Sequence, residues 1–284
     1  MSTSVRRGTT HPEFLGAKGN ALSERILITG AAGGIGTLMR PRLRREGRTL
    51  RLLDIARPAP AADGEAVEIV EGSVTDPEAM SRACSDVDAV VHLGGHSRES
   101  SWAETLSVNI DGTRTTLEAA RRTGVRRVVL ASSNHVAGFR STAEAATLAA
   151  DSPPRPDTYY GVSKAAMEAL GSLYHSRFGI DVICIRIGAC FETVGDERGL
   201  GLWLSPDDCA RLLEACLSHP SPGYRVIWGV SDNARRPVPL TEAAELGYAS
   251  RDDAEAVFAS HVVASTSHRL LGGPFTSDPL GEPN

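Results

Sequence analysis

The chain has 284 residues, 41% of them hydrophobic and 23% charged, with a formal net charge of -5. That length is enough for one sizeable core, and the mild acidity excludes nucleic acid and an anionic membrane surface as expected partners. No apolar run approaches the roughly 20 residues that cross a bilayer as a helix.

Residues 1–24 carry Arg6, Arg7 and Lys18 among Ser, Thr and Gly, without an apolar signal core. They are expected to be a disordered tail on a cytoplasmic protein. Order is expected to begin at "ERILITGAAGGIG", with a buried strand at 26–29, a glycine turn and a helix over 35–45. Pro41 should kink or interrupt that helix. The arginines at 40, 42, 44, 45 and 48 read as the solvated face of one helix rather than a binding patch. "TLRLLDIA", "AVEIVEG" and "DAVVHLGG" are the next three strands, with a Pro/Ala/Gly loop at 57–64 and a helix at 77–83. A long helix is expected from about 100 to 123. In "RRVVLASSNHVAGF" an apolar strand at 128–131 passes without a break into Ser132, Ser133, Asn134 and His135. "SPPRP" at 152–156 is a rigid loop, 160–178 a helix and "DVICIRIG" another strand.

Strands alternating with helices predict an α/β fold, a doubly wound parallel (Rossmann) sheet over residues 25–188. Beyond Gly188 the pattern loosens. Helices at 206–218 and 251–261 and a strand at "YRVIWG" are expected in a small C-terminal substrate-binding cap, 189–284. The five cysteines, 84, 184, 190, 209 and 216, show no Cys-x-x-Cys spacing and read as reduced, mostly buried thiols without a metal.

Two constellations carry chemistry. Gly30, Gly33 and Gly36 stand between a strand and a helix, where glycine lets the backbone approach a pyrophosphate at the helix N-terminus. Asp54, 18 residues after Gly36 and at the end of the second strand, is placed for a ribose diol. A carboxylate there favours NAD over NADP. The second constellation is "YYGVSK". Tyr160 and Lys164 are four apart on one helix face, where the lysine ammonium should favour the phenolate and make Tyr160 a base. Ser133 would donate a hydrogen bond to the reacting oxygen. Tyr159, at the wrong spacing, is expected to pack. Ligands of an open parallel sheet bind beyond the carboxyl ends of its strands. Ser132 to His135, His92, Gly94, Gly95 and Ser97, and Ala189 and Cys190, all fall there.

"TGAAGGIG", "YGVSK" and "NIDGT" together resemble the extended short-chain dehydrogenase/reductases, over nearly everything from Arg25 onward. The resemblance implies that Tyr160, Lys164, Ser133 and Asn109 work as a set, with Asn109 helping to hold a water that relays protons to Lys164. More narrowly, "HLGGHS", "ASSNHVAGF", "RPDTYYGVSK", "RIGAC", Arg198 before "LWLSPDD", "VIWG" and "GGPFTSDP" are similar to the uronate dehydrogenases. Those enzymes oxidise C1 of D-glucuronate or D-galacturonate with NAD, giving an aldarolactone. This likeness implies substrate contacts from Ser97, Ser133, Asn134, His135 and Arg198. It implies cofactor contacts from Gly30, Gly33, Gly34, Ile35, Gly36, Asp54, Ser73, Val74, Leu93, Gly94 and Lys164, and a homo-oligomer paired through helices flanking the sheet. Three positions depart from that pattern: Ala189 replaces a serine, Ser73 an aspartate near the adenine, and His96 an apolar residue. Two rival readings remain at this level, a sugar-nucleotide epimerase or dehydratase and a catalytically idle NAD-binding regulator. The short stretch after "YGVSK" argues against the first and the intact Tyr/Lys pair against the second.

Overall fold

The computed structural model describes residues 24–258 and 269–283. All of the expected tail except Glu24 lies outside them, as does the end of the helix expected at 251–261. In chain order the elements are β1 (Glu24–Thr29), α1 (Gly34–Arg42), β2 (Arg48–Asp54), β3 (Val67–Glu71), α2 (Pro77–Cys84) and β4 (Ala89–His92). A helical run follows, made of α3 (Trp102–Glu104), a π-helical stretch (Thr105–Asp111) and α4 (Gly112–Thr123). Next come β5 (Arg127–Ser133), a 3-10 turn (Asn134–Ala137), α5 (Thr142–Ala145), α6 (Tyr159–Phe178) and β6 (Asp181–Ile187). The chain closes with α7 (Glu197–Leu202), α8 (Pro206–Ser218), β7 (Tyr224–Gly229), α9 (Thr241–Glu245), α10 (Ala254–Phe258) and a 3-10 turn (Gly273–Thr276).

The seven strands form one parallel sheet in the order β3-β2-β1-β4-β5-β6-β7. Its strands read as apolar runs because both faces are covered. Leu27, Val90, Val128 and Val182 turn to one face against Met80, Leu117 and Met167 of α2, α4 and α6. Their neighbours Ile26, Val91, Val129 and Ile183 turn to the other, against Met39 of α1 and Leu212 of α8. The order reverses between β1 and β4, which opens a crevice at the carboxyl edge.

Several expectations need revision. "YRVIWG" does not belong to a cap: β7 pairs with β6 from Val182↔Tyr224 to Ile187↔Gly229 and completes the sheet, while α8 packs beside α1. Its alternation, Val226 and Trp228 on one face and Ile227 on the other, is that of a covered strand. Of the two outcomes expected at Pro41, interruption is the one found: α1 ends at Arg42, one residue later and short of the expected 45. The arginine cluster is a solvated face only in part: Arg44 and Arg45 are exposed, but the other three are taken up by the fold. Arg40 grips Glu65 and the carbonyls of Ala59 and Pro60, Arg42 pairs with Asp207 at 2.6 Å, and the buried Arg48 lies between Glu24 and Glu214. Guanidinium forks satisfy the carboxylates and loop carbonyls that the fold brings beside α1. Among the described residues, no helix is long and apolar enough to cross a membrane.

Candidate active site

The glycine turn meets the requirements of a dinucleotide. Gly30 has φ +67°, and a Cβ there would stand 2.8 Å from Gly94 N; a Cβ on Gly36 would stand 2.4 Å from Gly30 O. Gly34 faces open space, and α1, with Gly33 at its N-cap, has neither a side-chain cap nor an acidic residue in its first turn. The first-turn amides, including that of the half-buried Ile35, are thus left for an anionic ligand. Asp54 closes the other side. Its Oδ2 accepts from Ala32 N at 2.9 Å and its Oδ1 from Ala56 N at 3.0 Å, which fixes the carboxylate and leaves acceptor capacity on both oxygens. Arg57 is drawn to Glu71 at 3.1 Å. Val74 is buried and fills the space at Gly94 and Gly112, Ser73 bonds the Thr75 hydroxyl at 2.8 Å, and Leu93 is half-buried at the end of β4. These residues fit NAD.

The four polar residues after Ala131 turn to four different partners. Ser132 leaves the crevice: its hydroxyl donates to Glu168 at 2.6 Å, within a buried pair that Glu168 makes with Arg186 at 2.8 Å. Ser133 accepts from His135 N at 3.2 Å, and its hydroxyl is near enough to the Tyr160 phenol to favour the phenolate. Asn134 donates from Nδ2 to the Leu271 carbonyl at 3.1 Å, while its buried Oδ1 has no partner among the described residues. His135 joins Asp157 through Nδ1 at 2.7 Å and packs its ring on Phe275, with 4.3 Å between centroids.

Tyr160 and Lys164 do share the inner face of α6, both buried. Lys164 Nζ lies 5.4 Å from the Tyr160 ring centroid and donates to Ala131 O at 2.8 Å. The expected lowering of the phenol does not occur in this state. Burial pushes Tyr160 up to about 12 against the opposing Ser133 bond, and the Asp157 carboxylate adds to the rise. Burial also pulls Lys164 down to about 8. Removing water from the phenolate outweighs a single ammonium beyond hydrogen-bond reach.

Asn109 lies in the π-helical stretch, where it accepts from His96 N at 2.8 Å and donates to His96 O and to Ser163 Oγ. It ties the loop after β4 to α6. Ser97, the next residue in that loop, is exposed. His92 does not face the crevice. It is fully buried, bonded to Thr29 at 2.8 Å, and burial pulls it down to about 3.

Arg198, on α7, reaches the same place as Asn134: Nε and Nη2 both donate to Leu271 O, at 3.1 and 2.8 Å. Its aliphatic stem fills the space at Gly273, 2.6 Å from where a Cβ would be. Burial lowers its pKa, with Asp196 and Asp157 opposing, yet it makes no ion pair within 4 Å among the described residues. A guanidinium stays charged at working pH. A partly buried cation without a carboxylate partner keeps donor capacity that the surrounding carbonyl does not fill.

Sequence reasoning missed three groups here. Asp157 is the buried partner of His135. The Leu271 carbonyl gathers Asn134 and Arg198. Glu99 accepts from Tyr159 N and Tyr160 N at the start of α6 and from Gly281 N, and so couples the C-terminal segment to the helix that carries Tyr160. An acid just before "TYYGVSK" was a visible signal for Asp157; nothing local marks Glu99 or Leu271.

This crevice, with a glycine turn on one side and a Ser/Tyr/Lys set on the other, defines an NAD-binding α/β protein. Residues 26–199 match the NAD dependent epimerase/dehydratase family, and the chain belongs to it. Among curated proteins it is 46% identical to a uronate dehydrogenase of Pseudomonas syringae pv. tomato, covering 84% of this chain and 86% of the relative. It is 37% identical to one of Agrobacterium fabrum, covering 90% and 98%. The crystal structure of the Agrobacterium tumefaciens uronate dehydrogenase, as a tyrosine-to-alanine mutant complexed with NAD, superposes with a TM-score of 0.84 at 36% identity, over 90% of this chain and 98% of that one.

Proposed function

We propose that the protein is an NAD-dependent uronate dehydrogenase that oxidises C1 of a hexuronic acid, D-glucuronate or D-galacturonate, to the aldarolactone. The observation that carries the acidic substrate is Arg198, a partly buried guanidinium bonded to a backbone carbonyl and to no carboxylate among the described residues. A substrate carboxylate completes it as a charge-assisted fork. The unpartnered Oδ1 of Asn134 and the imidazole of His135 stand beside it for sugar hydroxyls, with Ser97 on the loop after β4.

When bound, NAD supplies the hydride acceptor. The turn at Gly30, Gly33, Gly34, Ile35 and Gly36 holds its pyrophosphate and Asp54 its ribose; Ser73, Val74, Leu93 and Gly94 line the remainder. Tyr160 takes the proton of the C1 hydroxyl as the hydride leaves that carbon, and the C1–O bond becomes the lactone carbonyl. Ser133 donates its single hydroxyl proton to the same oxygen. Lys164, anchored on Ala131 O, supplies positive charge near the ring and a path for the proton, with Asn109 fixing the neighbouring loop.

Glucuronate or galacturonate added to the protein and NAD is expected to give NADH, and neutral aldoses of the same ring are expected to give far less. Equal turnover of neutral sugars would remove the role of Arg198; turnover of a UDP-sugar alone would favour an epimerase or dehydratase. We also assign the protein to the cytoplasm as a homo-oligomer. The five free, buried cysteines and the exposed Leu173 and Phe178 on α6 support this. Cell fractionation and light scattering test it.

A further inference from the structure

Asp157 is a carboxylate enclosed by glycines from three separate parts of the chain. A Cβ on Gly138 would stand 2.0 Å from its Oδ2, one on Gly272 1.9 Å from the same atom, and one on Gly161 3.1 Å from Oδ1. Within that enclosure, Oδ1 accepts from the Thr158 hydroxyl at 3.0 Å and Oδ2 meets His135 Nδ1 at 2.7 Å. The side chain has no exposure at all. Packing this tight leaves the carboxylate one orientation, and the imidazole inherits it. His135 is held on its remaining sides by Phe275 at 4.3 Å and Tyr160 at 5.7 Å between centroids.

We propose that Asp157 is a positioning residue that fixes the tautomer of His135, so that Nε2 meets the substrate as a hydrogen-bond acceptor and reads a sugar hydroxyl. The inference rests on the uronate reading for the nature of the substrate. The chemistry is direct: an ionised carboxylate can only accept, so the proton of the neutral ring sits on Nδ1 and the free lone pair on Nε2. Among the described residues the ring's hydrogen bond is made through Nδ1, and none is made through Nε2. Recognition is thereby divided. Arg198, a donor, takes the carboxylate, and His135, an acceptor, takes a hydroxyl that a carboxylate cannot imitate.

The deciding measurement is the tautomer of His135 in the full-length protein, from long-range proton–nitrogen correlation spectra assigned with His135→Gln. The expected result is a protonated Nδ1 and a bare Nε2 in the wild-type protein, with the proton moving toward Nε2 in Asp157→Asn, whose amide can donate to Nδ1. In parallel, Asp157→Asn should raise KM for glucuronate about tenfold or more, as for loss of a buried partner, with KM for NAD unchanged. It should add little to the loss already caused by His135→Gln. A wild-type ring protonated on Nε2 overturns the proposal. So does an Asp157→Asn protein whose tautomer and uronate KM match wild type, or one in which KM for NAD and for glucuronate rise together, as general loosening would give. If Asp157→Asn does not fold, the wild-type spectrum still decides. Failure of the uronate reading looks different: no acid is turned over, whatever the tautomer.

Discussion

At β1, β2 and β4 the carboxyl edge of the sheet presents backbone. Three glycines without side chains and the open first turn of α1 lie there, and Asp54 is set in place by the amide of Ala32 in the turn and by that of Ala56, two residues after Asp54 itself. At β5 and β6 the same edge presents side chains, and none of them stands alone. Ser133 leans on Tyr160, Asn134 and Arg198 on the Leu271 carbonyl, His135 on Asp157, and the start of α6 on Glu99. The first half is set by shape, with no room for a Cβ at Gly30 or Gly36. The second is specific through donors and acceptors that distant chain segments hold in register. A defect in the first half should therefore cost cofactor affinity, and one in the second should cost turnover or substrate choice while NAD still binds.

The largest expected break is Tyr160→Phe, which keeps the ring and removes the proton acceptor. Turnover should fall about 10²- to 10⁴-fold, the usual contribution of a positioned base, with NAD titration unchanged. The pH profile sharpens the same point. Burial holds the phenol at about 12, so raising the pH favours the form that can take a proton and the rate should climb through the neutral range. It should flatten where Lys164, held near 8, loses its charge.

Next is Arg198→Met, expected to lower kcat/KM for uronate by about 100-fold, the loss typical of truncating a charged pair on one side. A neutral aldose assayed beside it should change little. If both substrates suffer alike, Arg198 supports the Leu271 segment rather than reading the acid.

In the cofactor half, Gly36→Ala forces a methyl to within 2.4 Å of Gly30 O. It is expected to weaken NAD binding about tenfold and lower stability by ~1–3 kcal/mol, as overpacking does, read by calorimetry and urea unfolding. The ratio of kcat for two uronates should not move. If it does, the two halves are more coupled than their contacts suggest.

The smallest effect concerns His92, buried between the halves. An unfolded histidine gains its proton near 6.5, and His92 in the fold only near 3. Between those values protons favour the unfolded chain, so stability is lost as pH falls through that window. His92→Asn should flatten that part of the urea-midpoint profile without altering substrate preference.

The cofactor half was almost fully legible. Gly30, Gly33, Gly36 and Asp54 stand where their spacing put them, and Tyr160 and Lys164 share a face because four residues make about one helical turn. The substrate half was legible only in its residue types. "SSNH" announced polar side chains at a strand end, yet not that Ser132 would turn away to Glu168 or that His135 would meet Asp157, 22 residues on. The solvated reading of the arginine cluster held for Arg44 and Arg45 and missed Arg42 and Arg48 for a similar reason, since their acidic partners arrive from as far as Asp207 and Glu214. "YRVIWG" was recognised as a strand but placed in the wrong layer, because apolar alternation marks a covered strand without naming its neighbour.

By itself, the sequence determined the order of strands and helices, the dinucleotide turn and the Tyr160/Lys164 pair. Steric limits at glycine and the periods of helix and strand act over a handful of residues. Tertiary structure decided which polar group answers which: Glu99 to Gly281, 182 positions away, Asn134 and Arg198 to one carbonyl, Asp157 to His135 within a glycine enclosure. Those pairings follow from the need of every buried donor and acceptor for a partner, and only the packed chain brings the candidates within reach.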